Sequence, residues 1–573
     1  MKNQEVAGIL YEMADILDIL GVQWKPNAYR RAARTIETYS DAIEDIYQKG
    51  GVKGLMDVPG VGENIAKKIE EYLRTGKIKE LQQLEKKIPK GVDEMMHLQG
   101  LGPKKAWRLY KELRIKNLND LKKAIKAQKV RKLAGFGEKS ESDILQSLGM
   151  HEVGEKRKLL LTGLDVAREL ETRLRALPWV KKAEVAGSVR RRKETIADID
   201  ILVISKEADK VMKYFTSMAD VRRILAKGET KSAVVLTNGL QADVRVLDDK
   251  SFGAAMQYFT GSKDHNVKLR GIAIKKGFKL SEYGLFKRKG EAYVAGRTEE
   301  DVYRKLGLPY IEPELRENTG EIEAAMKRKL PALIGYDDIR GDCHTHTTWS
   351  DGANTTEEMV QAAIKRGYEY IAITDHSKST IIANGLDDKR LLKHLDEIER
   401  LQRRYRDITI LKGSECDILK SGELDYRPEI LKKLDVVVAS VHASFKMGKE
   451  DMTKRYLKAI TSGHVTAIGH PTARLINTRP GFEFDLEKVA QACKDAGVAF
   501  EINGNPSRLD LRDSHIKAAN ELGASFLINT DSHSENHLRF IELGVAQARR
   551  GWVSARSVLN SQSASRFLKS LRR

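Results

Sequence analysis

The chain has 573 residues, 41% of them hydrophobic and 32% charged. That suits about three to five folded domains and is too apolar for a disordered chain. No run of 18 apolar residues occurs, the first 21 residues carry acids throughout, and only Cys343, Cys416 and Cys493 are present. These features argue against a membrane span, a signal peptide and a disulfide framework, and they point to the cytoplasm. The formal charge of +20 is uneven: residues 1–330 carry +17 of it, while ten of the thirteen histidines follow residue 330. The first part has the electrostatics of a polyanion binder, and the second has the side chains of a metal enzyme.

Three similar stretches open the chain: "VPGVGENIAKKI" (58–69), "LQGLGPKKAWRL" (98–109) and "LAGFGEKSESDI" (133–144). Each places x-G-x-G before a helix. Glycine permits the tight, positive-φ turn, and the turn aims backbone N–H groups at a phosphate. Gly60, Gly62, Gly100 and Gly102 are therefore expected to hold DNA backbone without reading sequence. Lys67 and Lys68 follow on the first hairpin's helix. The three stretches resemble helix-hairpin-helix motifs, the third less closely.

Next comes "VAGSVRRRKETIADIDILVIS" (185–205). Asp198 and Asp200 stand two apart on a predicted strand, so both face one way. Asp243, in the strand-like "QADVRVL" (241–247), is a third carboxylate. Three carboxylates on neighbouring strands suit two divalent ions and phosphoryl transfer. Gly187, Ser188 and Arg191 are placed to cradle a triphosphate.

With "YFTGSKDHNVKLR" (258–270), "KGETK" (227–231) and "DVR", the stretch resembles the catalytic core of the family X DNA polymerases, the DNA polymerase beta group. The likeness runs from residue 1 to about 316. The resemblance implies that Asp198, Asp200 and Asp243 bind two Mg2+ or Mn2+ ions, and that Ser188 and Arg191 contact the nucleotide phosphates. It puts Tyr258 and Phe259 at the sugar with Gly261 close by, Asn266 at the base edge, Arg270 on the template side and Lys231 on the DNA backbone. It further implies that Lys68 stands at the place of a Schiff-base lysine that removes sugar-phosphate from incised abasic sites. Asn64 departs from that pattern, which has a basic residue there.

After a linker-like "LPYIEPELRENTGEIEAA" (308–325), short apolar runs alternate with helix-like stretches, a rhythm that predicts a parallel α/β barrel. His344, His346, Asp351, His376, Glu415, His442, His470, Asp531 and His533 fall at the ends of six of those runs. In such a barrel the strand ends form one mouth. Cys343 and Cys416 alternate with ligand candidates and point away, and Cys493 sits in a helix-like run. Asp342 and Asp375 likewise face away and are expected to support the ligands. Lys446 and Arg474 are expected near the substrate phosphate. "HTH…SDG", "TDHS", "GSECDI", "SVHAS", "GHP" and "TDSH" resemble the motifs of the PHP (polymerase and histidinol phosphatase) superfamily over about residues 339–573. That resemblance implies up to three metal ions on these nine residues, and mixed imidazole and carboxylate ligands suit Mn2+ or Zn2+.

The expected architecture is multidomain, α+β followed by α/β. A helical lyase-like region (1–84) and a second hairpin subdomain (85–150) precede a nucleotidyltransferase palm (151–249). A thumb (250–316), a linker (317–338) and a distorted PHP barrel (339–573) follow. The expected function is short-gap filling in base excision repair, with 3′→5′ exonuclease, abasic-site endonuclease and 3′-phosphatase activity. The expected partners are gapped or nicked duplex DNA and deoxynucleoside triphosphates, with no membrane and a monomeric chain. The rival readings are a phosphoesterase with a degenerate palm, and a polymerase with an inactive PHP platform.

Overall fold

The computed structural model describes residues 2–38, 43–85, 88–96, 98, 101–138, 140–142, 144, 145, 148 and 157–571. Helices dominate the first part, and one core gathers apolar side chains from Val6 to Leu148. In the first hairpin Gly60 has φ +82, while Gly62 is extended and caps helix Glu63–Thr75. Gly62 O accepts the N–H groups of Ile65 and Ala66, both at 2.9 Å. Gly102 is likewise an extended cap, with Pro103 at the first position of helix Pro103–Leu113. Positive φ is thus taken by the first glycine of the pair in the first hairpin and, at Gly135, in the third. Gly100 lies outside the described residues.

The palm begins with helix Leu160–Arg175 and a short antiparallel pair, β1 (Lys158–Leu159) with β3 (Thr195–Ile196). Its main sheet contains β2 (Val180–Val185), β4 (Asp198–Ser205), β5 (Val221–Lys227), β6 (Lys231–Leu236) and β7 (Gln241–Leu247), in the order β2-β4-β7-β6-β5. Ile199, Ile201 and Val203 enter one core from β4, and Asp198, Asp200, Leu202 and Ile204 share the other face, where the last two are buried in a second core, as a period of two requires. Helices Phe252–Thr260 and Lys263–Lys275 lead into three antiparallel strands, β8 (Phe278–Ser281), β9 (Gly284–Lys287) and β10 (Tyr293–Ala295). Helix Glu321–Met326 follows, and its Ile322 and Ala325 enter the core formed by these elements.

The last part is a seven-stranded parallel sheet. Its strands are β11 (Gly341–Asp342), β12 (Tyr370–Ile373), β13 (Thr409–Asp417), β14 (Val436–Ser440), β15 (Ala467–Ile468), β16 (Ala499–Asn503) and β17 (Phe526–Asn529), ordered as in the sequence. A parallel bridge between Thr345 and Ser532 brings its first and last members together, with His346 N–H on Ser532 O at 2.8 Å. The barrel packs on the palm: Leu509 and Leu543 belong to the palm's apolar core. Arg168–Glu542 (2.5 Å), Arg539–Asp165 (3.0 Å) and Arg474–Glu194 (2.7 Å) cross the same boundary.

Candidate active sites

Parallel pairing of β4 with β7 sets Asp200 directly beside Asp243, and Asp198 lies two residues earlier on β4. Asp243 is buried and Asp198 exposed, so the three acids run from the sheet interior to the surface. Burial, then the charges of Asp198 and Asp243, push the Asp200 carboxyl up to about 7. Three crowded carboxylates on adjacent strands form an oxygen donor set that fits hard divalent cations. Gly187, at φ +64, passes over this group, and a Cβ there would stand 2.5 Å from Asp200 Oδ2. That close approach explains the glycine.

Beside the acids lies a cavity of about 490 Å³. Gly187, Ser188, Arg191, Asp198, Asp200, Tyr258, Phe259, Gly261, Asn266 and Arg270 line it, so the structure brings the expected nucleotide residues to one place. Arg157 and Lys263 line it as well and were missed; Lys263 stands inside the "GSKDHN" motif, whereas nothing in the sequence around Arg157 marks it. Ser188 Oγ is buried without a hydrogen-bond partner, a donor left for a phosphate oxygen. Asn266 accepts from Gln257 Nε2 at 2.6 Å and donates to Tyr258 O at 2.7 Å. Lys231 Nζ lies 4.0 Å from Asp243 Oδ1, at the edge of the acid group.

In the hairpin region, Lys68 forms a 2.8 Å ion pair with Glu80. Burial lowers its pKa, but the bonds to Glu80 and Tyr29 outweigh this and hold the amine above its ordinary range. A Schiff-base nucleophile must lose its proton, and the pair with Glu80 opposes that loss.

At the barrel mouth the nine expected side chains converge. Glu415, at the end of β13, is the hub: its carboxylate meets His376 Nδ1 at 2.9 Å, His470 Nε2 at 2.8 Å, His442 Nε2 at 3.2 Å and His344 Nε2 at 3.4 Å. Asp531 lies 3.4 Å from His346 Nε2, and Asp351 bridges His376 and His533 at 3.6 and 3.5 Å. Among the described residues, three groups have donor atoms within 4.8 Å of one another. These are His346–Asp351–His376–His533, His344–His346–Asp531 and His376–Glu415–His442. His344 Nε2, both ring nitrogens of His346, His376 Nδ1 and Glu415 Oε2 are buried without hydrogen-bond partners. Orphaned donor atoms aimed at shared points fit metal ions. Burial and the neighbouring His533 and His376 lower His346 to about 4, which keeps its ring neutral and fit to ligate.

Supporting residues hold these ligands. Glu501 on β16, fully buried, meets His344 Nδ1 at 2.7 Å and accepts the His470 N–H at 2.6 Å; Asn503 and Asn529 donate to it. Asp417 meets His442 Nδ1 at 3.0 Å and accepts from Thr380 Oγ1 at 2.6 Å. Both were missed, although each stands two residues from another polar strand position, Asn503 and Glu415 respectively. Asp375 accepts from Thr347 and Ser350, and Asp342 from Thr530 and the His344 N–H, the supporting places expected for them. The three cysteines are buried, and none of them is in a disulfide. Arg474, expected near the substrate phosphate, is 5% exposed and turns its Nη2 to Glu194 and Leu509 O at the palm boundary, while its Nε is buried without a hydrogen-bond partner. Lys446 is exposed on the loop after β14.

A palm with a carboxylate triad, a thumb and a histidine-rich parallel barrel define a nucleotidyltransferase joined to a metal-dependent phosphoesterase. Family profiles agree: a helix-hairpin-helix domain matches residues 1–78, a SAM-like helix-hairpin-helix tandem 52–116 and 92–149, a DNA polymerase beta thumb 255–317 and a PHP domain 342–505. The DNA polymerase/3′-5′ exonuclease PolX of Bacillus subtilis (strain 168) is 38% identical over 568 residues, 98% of each chain. Probable phosphatases of Shewanella sp. (strain MR-4) and Thermoanaerobacter sp. (strain X514) match a part only: 33% identity over 34% of this chain and 75% of theirs, and 30% over 38% and 89%. The chain belongs to the family X DNA polymerases that carry a C-terminal PHP domain.

Proposed function

We propose that this chain fills short gaps in DNA and trims 3′ ends, the pair of activities that base excision repair requires. The observation that carries the reading is the coexistence of a complete acid triad beside a nucleotide-sized cavity with a complete ligand cluster at the barrel mouth.

In the palm, Asp198, Asp200 and Asp243 would hold two Mg2+ or Mn2+ ions. Two ions held there would supply Lewis acidity for the primer 3′ hydroxyl and positive charge for the departing pyrophosphate. Ser188 and Arg191 bind the triphosphate, Tyr258 and Phe259 pack on the sugar, and Asn266 and Arg270 face the base and the template. Gly60, Gly62, Gly100, Gly102 and Lys231 hold the DNA backbone.

In the barrel, His344, His346, Asp351, His376, Glu415, His442, His470, Asp531 and His533 would hold up to three Mn2+ or Zn2+ ions. Ions held there would supply the Lewis acidity that activates a water toward a phosphoester. Glu501 and Asp417 fix the tautomers of His344 and His442, so that each ring presents Nε2 to the mouth. Such a centre opens 3′ phosphodiesters, and we extend the proposal to abasic-site incision and removal of 3′ phosphates.

A gapped duplex with an abasic site, incubated with Mg2+ or Mn2+ and with or without nucleotides, separates incision, trimming and filling. Asp198→Ala with Asp200→Ala should abolish extension and spare 3′ degradation. His344→Ala with His346→Ala should do the reverse. Extension that survives the first pair points to a degenerate palm, and degradation that survives the second points to an inactive barrel platform.

A further inference from the structure

The nucleotide-facing Arg191 of the palm is held by a residue of the PHP domain. Arg550 ends helix Ile541–Arg550, and its side chain is 2% exposed. Its Nη1 donates to the main-chain oxygen of Arg191 at 2.8 Å and to Glu317 Oε1 at 3.1 Å, while Nη2 is anchored on Asp513. The same Glu317 Oε1 accepts from Arg191 Nε at 3.0 Å, and Arg191 Nη1 donates to Thr260 O. Arg191 is therefore gripped at its backbone by the barrel, at Nε by Glu317 and at Nη1 by the end of the helix that carries Tyr258 and Phe259.

Burying an arginine between domains costs desolvation, which is offset here because every bond it makes is to a charged or polar partner of fixed position. The arrangement also settles a competition. Glu317 alone would draw the Arg191 guanidinium away from a triphosphate. With Arg550 on the same oxygen, the carboxylate is already compensated, and its pull on Arg191 is weakened without releasing the side chain's orientation.

We propose that Arg550 is a positioning residue for nucleotide addition: the PHP domain, through Arg550 and Glu317, sets the angle at which Arg191 meets the incoming triphosphate. This rests on the reading of Arg191 as a phosphate contact. It means that one catalytic half completes the substrate site of the other, through a residue that belongs to neither set of metal ligands.

The test is steady-state filling of a single-nucleotide gap by the full chain. For Arg550→Ala the KM for the nucleotide should rise about ten- to a hundredfold, with a smaller change in kcat. Arg550→Lys, which keeps the charge but cannot span Arg191 O, Glu317 and Asp513 together, should give a smaller rise. Mn2+-dependent 3′ degradation should be unchanged in both. In an Arg191→Ala background, Arg550→Ala should add nothing, because it acts through that side chain. An unchanged KM in Arg550→Ala overturns the proposal, as does a loss that adds in full to that of Arg191→Ala. If Arg191→Ala leaves the KM unchanged, the reading of Arg191 fails and the proposal with it. If Arg191→Ala raises the KM and Arg550→Ala does not, only the proposal fails. Should Arg550→Ala fold poorly, the Arg550→Lys comparison in both backgrounds decides.

Discussion

Asp200 shows how a single side chain couples the palm to pH. Its carboxyl titrates near 7 because it is buried between like charges, against an ordinary value of 3.8. The folded pKa is raised, so ionising the group costs the metal-free fold stability as pH climbs from about 4 toward 7, and a bound cation removes that cost. A proton and a cation therefore compete for this site. The Mg2+ concentration needed for half-maximal primer extension should rise as pH is lowered from about 8 to 6. A requirement that stays flat across that range would contradict the assignment. Glu501 gives a second prediction at this scale. Glu501→Gln keeps the volume but loses the charge that orients His344 and accepts the His470 N–H. Mn2+ affinity at the barrel should fall about ten- to a hundredfold by titration, with primer extension retained.

At the scale of elements, the alternation of strands is what made the barrel cluster legible. His344 and His346 share a face, and the same logic separates Glu415 from Cys416, which packs in a different core; Cys343, just before His344, departs from it and packs with Leu411, Ala499 and Leu527, which share strand faces with Glu415, Glu501 and Asp531. Strand period carries information about facing, so ligands that alternate with apolar residues stand out. It carries none about which neighbour a polar group will meet. Glu501 and Arg474 illustrate this: one reads as an ordinary strand acid and supports the metal cluster, while the other follows "GHP" and turns to the palm. Arg550 was illegible for the same reason, since its partners Arg191 and Glu317 lie more than two hundred residues away in the chain. Helix Phe252–Thr260 supplies the prediction here. A Cβ at Gly253 would come within 2.4 Å of three backbone atoms of Thr298. Gly253→Ala should destabilise the thumb by about 1–3 kcal/mol in denaturant unfolding and raise the nucleotide KM, because the same helix carries Tyr258 and Phe259.

For the whole molecule, charge and packing divide the labour. The +17 of residues 1–330 sits on the hairpins, palm and thumb, while the barrel is close to neutral. Affinity for gapped duplex should drop at least about a hundredfold between roughly 50 and 200 mM salt by fluorescence anisotropy. Hydrolysis of a small phosphodiester at the barrel should change far less, since no polyanion has to be held. Packing crosses the divide that charge draws. Leu509 and Leu543 complete the palm core, and Leu333 and Trp552 pack against the thumb core.

The closing contact of the barrel sets an order of assembly. Thr345 beside its first strand bridges Ser532 beside its last, and the group His344–His346–Asp531 draws on both ends of the domain. While the chain is being synthesised, Asp198 and Asp200 emerge more than three hundred residues before Asp531, and Asp243 not much later. A nascent chain therefore exposes its bond-forming carboxylates long before it can close its bond-cutting centre. Metal capture by the group His344–His346–Asp531 then requires that translation has passed the final strand, whereas His376, Glu415 and His442 are all made before it.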